Sequence, residues 1–331
     1  MNRTALLSSL FGCLVLASGP AASTAQAAEY PDKPVTILVA FAPGGATDVL
    51  ARKLGQELGE HYKQTFVIDN KPGAGGNIGT AAAARSRPDG YTLYLGTVAS
   101  HGVAPNLYRE LPYDPVKDFT PIGMISSSPQ IVVVHPESQF KTVDDLANYA
   151  KSAGEKMMYA SSGIGTTIHL SGETFNIMAG TKMTHVPFQG SGPAVTALLG
   201  RHVDVLFDDL PSSAPHVKEG ALRALAVTGK SPSPLFPELP TLSEAGKAHG
   251  LEGFDVSAWF FLAGPANLPE DVADSLNTAL NEILDKPSMK EFLAARGAEP
   301  MPGTREDATT FIAAELKKWG NVIREGNIPL Q

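Results

Sequence analysis

Residues 35–60 read VTILVAFAPGGATDVLARKLGQELGE, and they decide the fold class. Val35 to Phe41 is a short, almost wholly apolar and β-branched run, the composition of a strand buried on both faces. Ala42-Pro-Gly-Gly-Ala-Thr47 is turn chemistry. From Asp48 to Glu60 the period changes: Val49, Leu50, Leu54 and Leu58 recur on one side of a helix. Strand, glycine loop and helix together make the repeating unit of an α/β protein.

The same unit recurs along the chain. Phe66–Ile68, Tyr91–Leu95 and Ile131–Val134 read as strands, with helices predicted over 77–85 and 143–152. Met157–Ala160, Thr184–Phe188, Val203–Phe207, Leu222–Val227 and Asp255–Leu262 read as further strands. Helices are predicted over 166–179, from the Gln189–Gly192 loop to Leu199, and over 211–218, and then over 270–284, 288–296 and 305–325, punctuated by Pro287, Gly297 and Pro302-Gly303. Alternation of this kind predicts an α/β fold with mainly parallel sheets.

Composition bounds the rest. The chain has 331 residues, 43% of them hydrophobic, with 32 Gly and 26 Pro. That is about two domains' worth of chain and enough apolar content for an ordinary core. A formal charge of −8 with no long Lys/Arg block argues against nucleic-acid binding, which rests on neutralising phosphates. A single cysteine excludes a disulfide framework and a Cys-based zinc site.

The first residues have the pattern of an address. Arg3 is the only charge before Glu29, an apolar run spans Ala5 to Ala17, and Ala25-Gln-Ala27 has the form of a cleavage site. Residues 1–27 are therefore expected to be a secretory signal peptide and the mature chain periplasmic. Loss of Arg3 takes the net charge from −8 to −9. Leu10-Phe-Gly-Cys13 outlines a lipoprotein site instead, but Phe11 is bulky for one and the preceding run is short. Cleavage after Ala27 removes Cys13, the one cysteine.

Five loops follow strands and lead into helices: Pro43-Gly44-Gly45, Pro72–Gly76, Ser161–Gly165, Gln189–Gly192 and Asp208-Asp209. In open α/β sheets ligands sit at such places. A helix start offers unpaired N–H groups and a partial positive charge, so each loop can receive an anion. The loops hold no Arg, and Lys71, at the edge of the second, is the only Lys beside them, which leaves backbone amides and hydroxyls as donors. Thr47, Ser161, Ser162, Thr166, Thr167 and Ser191 are candidate hydroxyl donors, and Asn77 a candidate amide donor. Taken singly, each has a structural reading: Thr47, Asp48 or Asn77 as a helix cap, His169 and Glu173 as a packing pair four residues apart. Recurrence of one loop type favours a site.

Enzyme signatures are missing. Gly73-x-Gly75-x-x-x-Gly79 departs by one residue from dinucleotide-binding spacing, and no serine stands in Gly-x-Ser-x-Gly. No two of the eight histidines are three to five apart, and Asp208 and Asp209, as strand neighbours, point to opposite faces. No cofactor, metal site or catalytic group is expected.

Several stretches resemble one family. Tyr30-Pro-x-Lys-Pro-Val35, Pro43-Gly-Gly-x-Thr-Asp48, Lys71-Pro-Gly-Ala-Gly-Gly-Asn-Ile-Gly79 and Pro88-Asp-Gly-Tyr91 are similar to the Bug proteins. These are TctC-like periplasmic solute-binding receptors of tripartite tricarboxylate transporters. The likeness continues through Leu111–Phe119, Tyr159–Thr166, His169–Glu173, His185–Phe188, Phe207-Asp208, Leu222–Thr228 and Gly297–Pro300. It implies a two-lobe periplasmic-binding-protein-like (type II) fold with a ligand cleft between the lobes. Lobe one is expected over 29–127 plus 255–331 and lobe two over 128–254, hinged by two crossing segments.

The resemblance carries ligand contacts to Gly44, Gly45, Thr47, Asp48, Asn77, Ser161, Ser162, Thr166, Gly190 and Asp208. Gln189 joins them as a departure: Phe188-Gln189 stands where Tyr followed by Lys or Arg is common, removing a cation from the cleft. Ala104-Pro-Asn106 is a second departure, with His101 just before it. Asp208 is the expected discriminator of the solute's far end. The implied function is capture of a small carboxylate (a dicarboxylate, an aromatic acid or an acidic amino acid) by a monomer that presents it to permease subunits. A sensing co-receptor for a signalling protein uses the same cleft, and an exported enzyme acting on an organic acid is the third reading.

Overall fold

The computed structural model describes residues 30–233, 235–325 and 328–331, so the expected signal peptide lies outside the described residues. The chain runs β1 (Val35–Val39), α1 (Ala46–Tyr62), β2 (Phe66–Asn70), α2 (Asn77–Ala84), β3 (Thr92–Thr97), a π-helical turn (Ala99–Val103), α3 (Ala104–Leu107) and β4 (Phe119–Val134). It continues through α4 (Val143–Ala153), β5 (Met158–Ser161), α5 (Thr167–Ala179), β6 (Thr184–Pro187), α6 (Ser191–Leu199), β7 (Val205–Asp209), α7 (Leu210–Lys218), β8 (Arg223–Val227) and α8 (Leu242–Ala245). Last come β9 (Ser257–Pro265), α9 (Glu270–Asp285), α10 (Pro287–Ala294), β10 (Glu299–Pro300) and α11 (Arg305–Glu325).

Two α/β lobes share one strand path, β2-β1-β3-β9-β4-β7-β5-β6, with β8 and β10 also on β4. The βαβ units are parallel: β1 pairs with β2 and β3, and β5 with β6 and β7. The centre is antiparallel, because β4 runs against β9, β7, β8 and β10, and β3 against β9. The expectation of mainly parallel sheets therefore holds within the units and fails at the join. β4 is the reason. Its first part, Phe119–Pro129, pairs with β9, and its last part, Gln130–Val133, pairs with β7. Only Ile131–Val134 of this strand reads as one in the sequence; Pro121 and Pro129, which lack the N–H a ladder uses, lie in the remainder. The structure absorbs Pro121 at a register shift between Pro121 and Gly123.

Alternation along β4 sorts its side chains between two cores: Val132 and Val134 enter one, Ile131 and Val133 another. In the first lobe Val35, Ile37 and Val39 face the α1 stripe of Leu50, Leu54 and Leu58 and the α9 stripe of Leu276, Leu280 and Ile283. Each fully buried leucine contributes about 2 kcal/mol. Leu38 and Tyr94 point to the opposite layer, where Trp319 of α11 is buried. No described helix is long and apolar enough to cross a membrane.

Candidate functional site

Four helices begin at one place between the lobes. Gly45 precedes α1, Thr166 caps α5 through its hydroxyl, Gly190 precedes α6, and Asp209 precedes α7. Their starts enclose a small cavity. It is lined by Gly45, Ala46 and Thr47 from α1's start, Ser162, Thr166 and Thr167 from α5's, Ser191 from α6, and Asp209 from the end of β7. Thr97, Val98 and Ala99 close one side, and Phe41, Ala258 and Phe260 supply apolar walls. Among the described residues lining it there is no Lys, Arg or His. The first N–H groups of each helix have no intrahelical acceptor, so positive partial charge converges here.

The lobes meet around this cavity. The Ala42 N–H donates to the Gln189 carbonyl at 2.9 Å, and the Tyr108 hydroxyl donates to the Ile164 carbonyl at 2.8 Å. Gly75, at φ +65°, packs on that same carbonyl so closely that a Cβ would collide with it. Gly45 sits against the start of α6, where a Cβ would come within 3.3 Å of the Ser191 nitrogen. The structure is the closed form of a two-lobe cleft.

The sequence-predicted residues divide in two. Gly45, Thr47, Ser162 and Thr166 line the cavity, as do the candidate donors Thr167 and Ser191. The others do not line it. Gly44 donates its N–H to Asp48 Oδ2 at 3.0 Å, and Asp48 pairs with Arg52 at 2.9 Å, so Asp48 fixes the loop. Arg52 and the Gly44 N–H hold the Asp48 carboxyl below its usual range, overcoming the burial that pushes it up. Asn77 accepts from the Tyr113 hydroxyl at 3.1 Å. Gln189 is exposed and takes part through its carbonyl. Gly190 sets the start of α6, next to Ser191.

Ser161 is fully buried, with Oγ 2.5 Å from His185 Nε2 and accepting from the Gly163 N–H at 3.1 Å. His185 stacks on His169 with centroids 4.1 Å apart, and His169 Nδ1 accepts from the Gly165 N–H at 3.2 Å. That bond needs an unprotonated Nδ1, so His169 is neutral. Burial pushes His169 down to about 4 and His185 down to about 3. The pair braces the 161–165 loop from below. His101 is also clear of the cavity, wedged edge-on against Phe119 and Phe261 at 4.7 and 4.6 Å.

Asp208 is completely buried, accepts from the Ser213 hydroxyl at 2.6 Å, and leaves Oδ1 without a partner among the described residues. The carboxyl that borders the cavity is Asp209, 9% exposed, with Gln130 Nε2 donating to its Oδ1 at 3.3 Å. Burial first, then the Asp208 charge, pushes Asp209 up to about 7. Burial likewise raises Asp208.

Sequence reasoning missed Thr97 as well. Its hydroxyl is buried, borders the cavity and has no hydrogen-bond partner among the described residues. The rule that ligands sit beyond strand ends points to it, but Thr97-Val-Ala-Ser100 has no glycine to draw the eye. Among the described residues no group of three or more His, Cys, Asp and Glu could hold a metal.

Known proteins share this architecture. The chain is 35% identical to Protein BugT of Bordetella pertussis over 332 residues, covering all of both chains. An R. palustris protein solved with adipate superposes with TM-score 0.88 at 37% identity, over 92% of this chain and 100% of that one. MatC of Rhodopseudomonas palustris with bound malate gives TM-score 0.84 at 32% identity, over 89% and 100%. Residues 50–328 match the family described as tripartite tricarboxylate transporter family receptor. With that match and that architecture, the chain belongs to this family of periplasmic solute-binding receptors.

Proposed function

We propose that this protein captures a small organic carboxylate in the periplasm and presents it to the membrane permease subunits of a tripartite tricarboxylate-type transporter. One observation carries the reading: four helix N-termini converge on a hydroxyl-lined, cation-free cavity between two lobes. Such a site neutralises a carboxylate with amide dipoles and hydroxyls. The apolar walls fit the carbon skeleton. Adipate and malate in the two solved relatives are acids of this kind.

Closure is the signal in this reading. The hinge lies where β4 exchanges β9 for β7, between Pro129 and Gln130, and where Thr228 bonds to Gln130 and Val256. In this reading the lobes span 29–127 plus 255–331 and 128–254, and the exchange of partners along β4 supports a hinge near their boundary. A solute touching both lobes stabilises the closed form, which the permease then reads. The chain is exported through residues 1–27 and acts as a receptor without turnover.

The test is a thermal-shift screen of organic acids against neutral sugars. Carboxylates should raise the melting temperature increasingly with concentration, by about 2.7 kcal/mol of stabilisation at a hundred times Kd. A sugar that stabilises the protein while no acid does so refutes the reading.

A further inference from the structure

The cavity contains one titratable side chain, Asp209. It hydrogen-bonds Gln130 of β4 and shares the cavity lining with Thr47 of α1, Thr166 at the cap of α5 and Ser191 of α6, all uncharged. Asp208 is the titratable group beside it on β7, and it is already engaged with Ser213. An ionised Asp209 would repel an anionic solute, and no lining cation would offset that repulsion. An ammonium group on the solute would satisfy Asp209, but it would sit in the positive ends of four helices. A second carboxylate suits those helix ends and conflicts only with Asp209. One proton on Asp209 removes the conflict and converts an acceptor into a donor.

We propose that the site takes dicarboxylates together with one proton, held by Asp209, whose carboxyl O–H then donates to the carboxylate at the solute's far end. This rests on the carboxylate-receptor reading and adds Asp209 as the residue that sets specificity. The balance is one dianion and one proton from solvent entering the complex for each solute bound. Burial first, then the Asp208 charge, raises the Asp209 carboxyl toward neutral pH in the free protein. The solute's second charge shifts it fully to the acid.

Calorimetric titration with adipate in buffers of different ionisation enthalpy counts the protons. Uptake should be a fraction of a proton per solute at pH 7 and rise toward one at pH 8, with affinity severalfold weaker at pH 8. Asp209→Asn, whose amide donates without titrating, should bind adipate with no proton uptake and equal affinity at both pH values. Adipate binding at pH 8 with no proton uptake overturns the inference, as does tighter binding of glutamate than of glutarate. Absence of binding by any acid overturns the receptor reading along with it, whereas binding without protons overturns this inference alone.

Discussion

Thr97 shows how a single side chain reports a site. A buried hydroxyl left without a partner is unfavourable by about 1–3 kcal/mol, so its place at a cavity wall marks a group held ready for a ligand. Thr97→Val should therefore leave the free protein equally or more stable, because an unsatisfied polar atom is removed. The same change should weaken carboxylate binding by roughly tenfold, the worth of one hydrogen bond to a charged group. Melting curves and calorimetry on the variant check both halves, and a destabilised protein with unaltered affinity would contradict the assignment. Asp208 and Asp209 teach a related lesson. The sequence shows two adjacent carboxylates but not which one meets the cavity. That depends on where β7 stops and α7 starts: Asp209, the last strand residue, emerges at the cavity, and Asp208 turns back to Ser213.

At the scale of elements, glycine loops and helix starts were legible because their residue types are forced. The start of α1 needs Gly45 where α6 of the other lobe comes close. Gly45 has φ −85°, an ordinary backbone conformation, so a side chain there meets only the neighbouring lobe. Gly45→Val should accordingly reduce affinity at least a hundredfold while moving the melting temperature of the free protein by no more than about 2 °C, since a 1 kcal/mol change shifts a large domain by a few degrees. Scattering that shows a protein unable to compact with solute would agree, and full closure would contradict it. β4 was the element least legible. Its two prolines carry the signature of a loop, and only its pairing with β9 on one side and β7 on the other makes it a strand.

Across the whole molecule, buried ionisable groups set the response to pH. His101 and His185 are pushed down to about 3 and His169 to about 4 by burial. The unfolded chain protonates these imidazoles below about 6.5 while the folded one does not, so their stabilisation is lost as pH falls from there toward 4. Asp209, raised to about 7, acts oppositely: the folded state holds its proton between about 4 and 7, and stability from it falls as pH rises. Each group is worth about 1.4 kcal/mol per pH unit in its window, and three histidines outweigh the two raised carboxylates. The melting temperature should thus be lower at pH 4.5 than at pH 7. A higher value at pH 4.5, measured by calorimetry, would show the carboxylates dominating.

The sequence by itself determined the α/β units, the glycine loops before the helices, the shortage of cations in them and the family likeness. All of these are local: strand and helix periods, turn residues and short motifs are written in neighbouring positions. The tertiary structure alone decided that β4 and β9 join the lobes antiparallel, that four helix starts share one cavity, and that Thr97 and Asp209 border it while Asp48, Asn77, Ser161 and Asp208 brace the loops around it. The physical reason is that a side chain's role depends on which groups lie across from it. Those groups often come from distant segments, as Thr47, Thr97 and Asp209 do around one cavity, brought together by burial of the shared core.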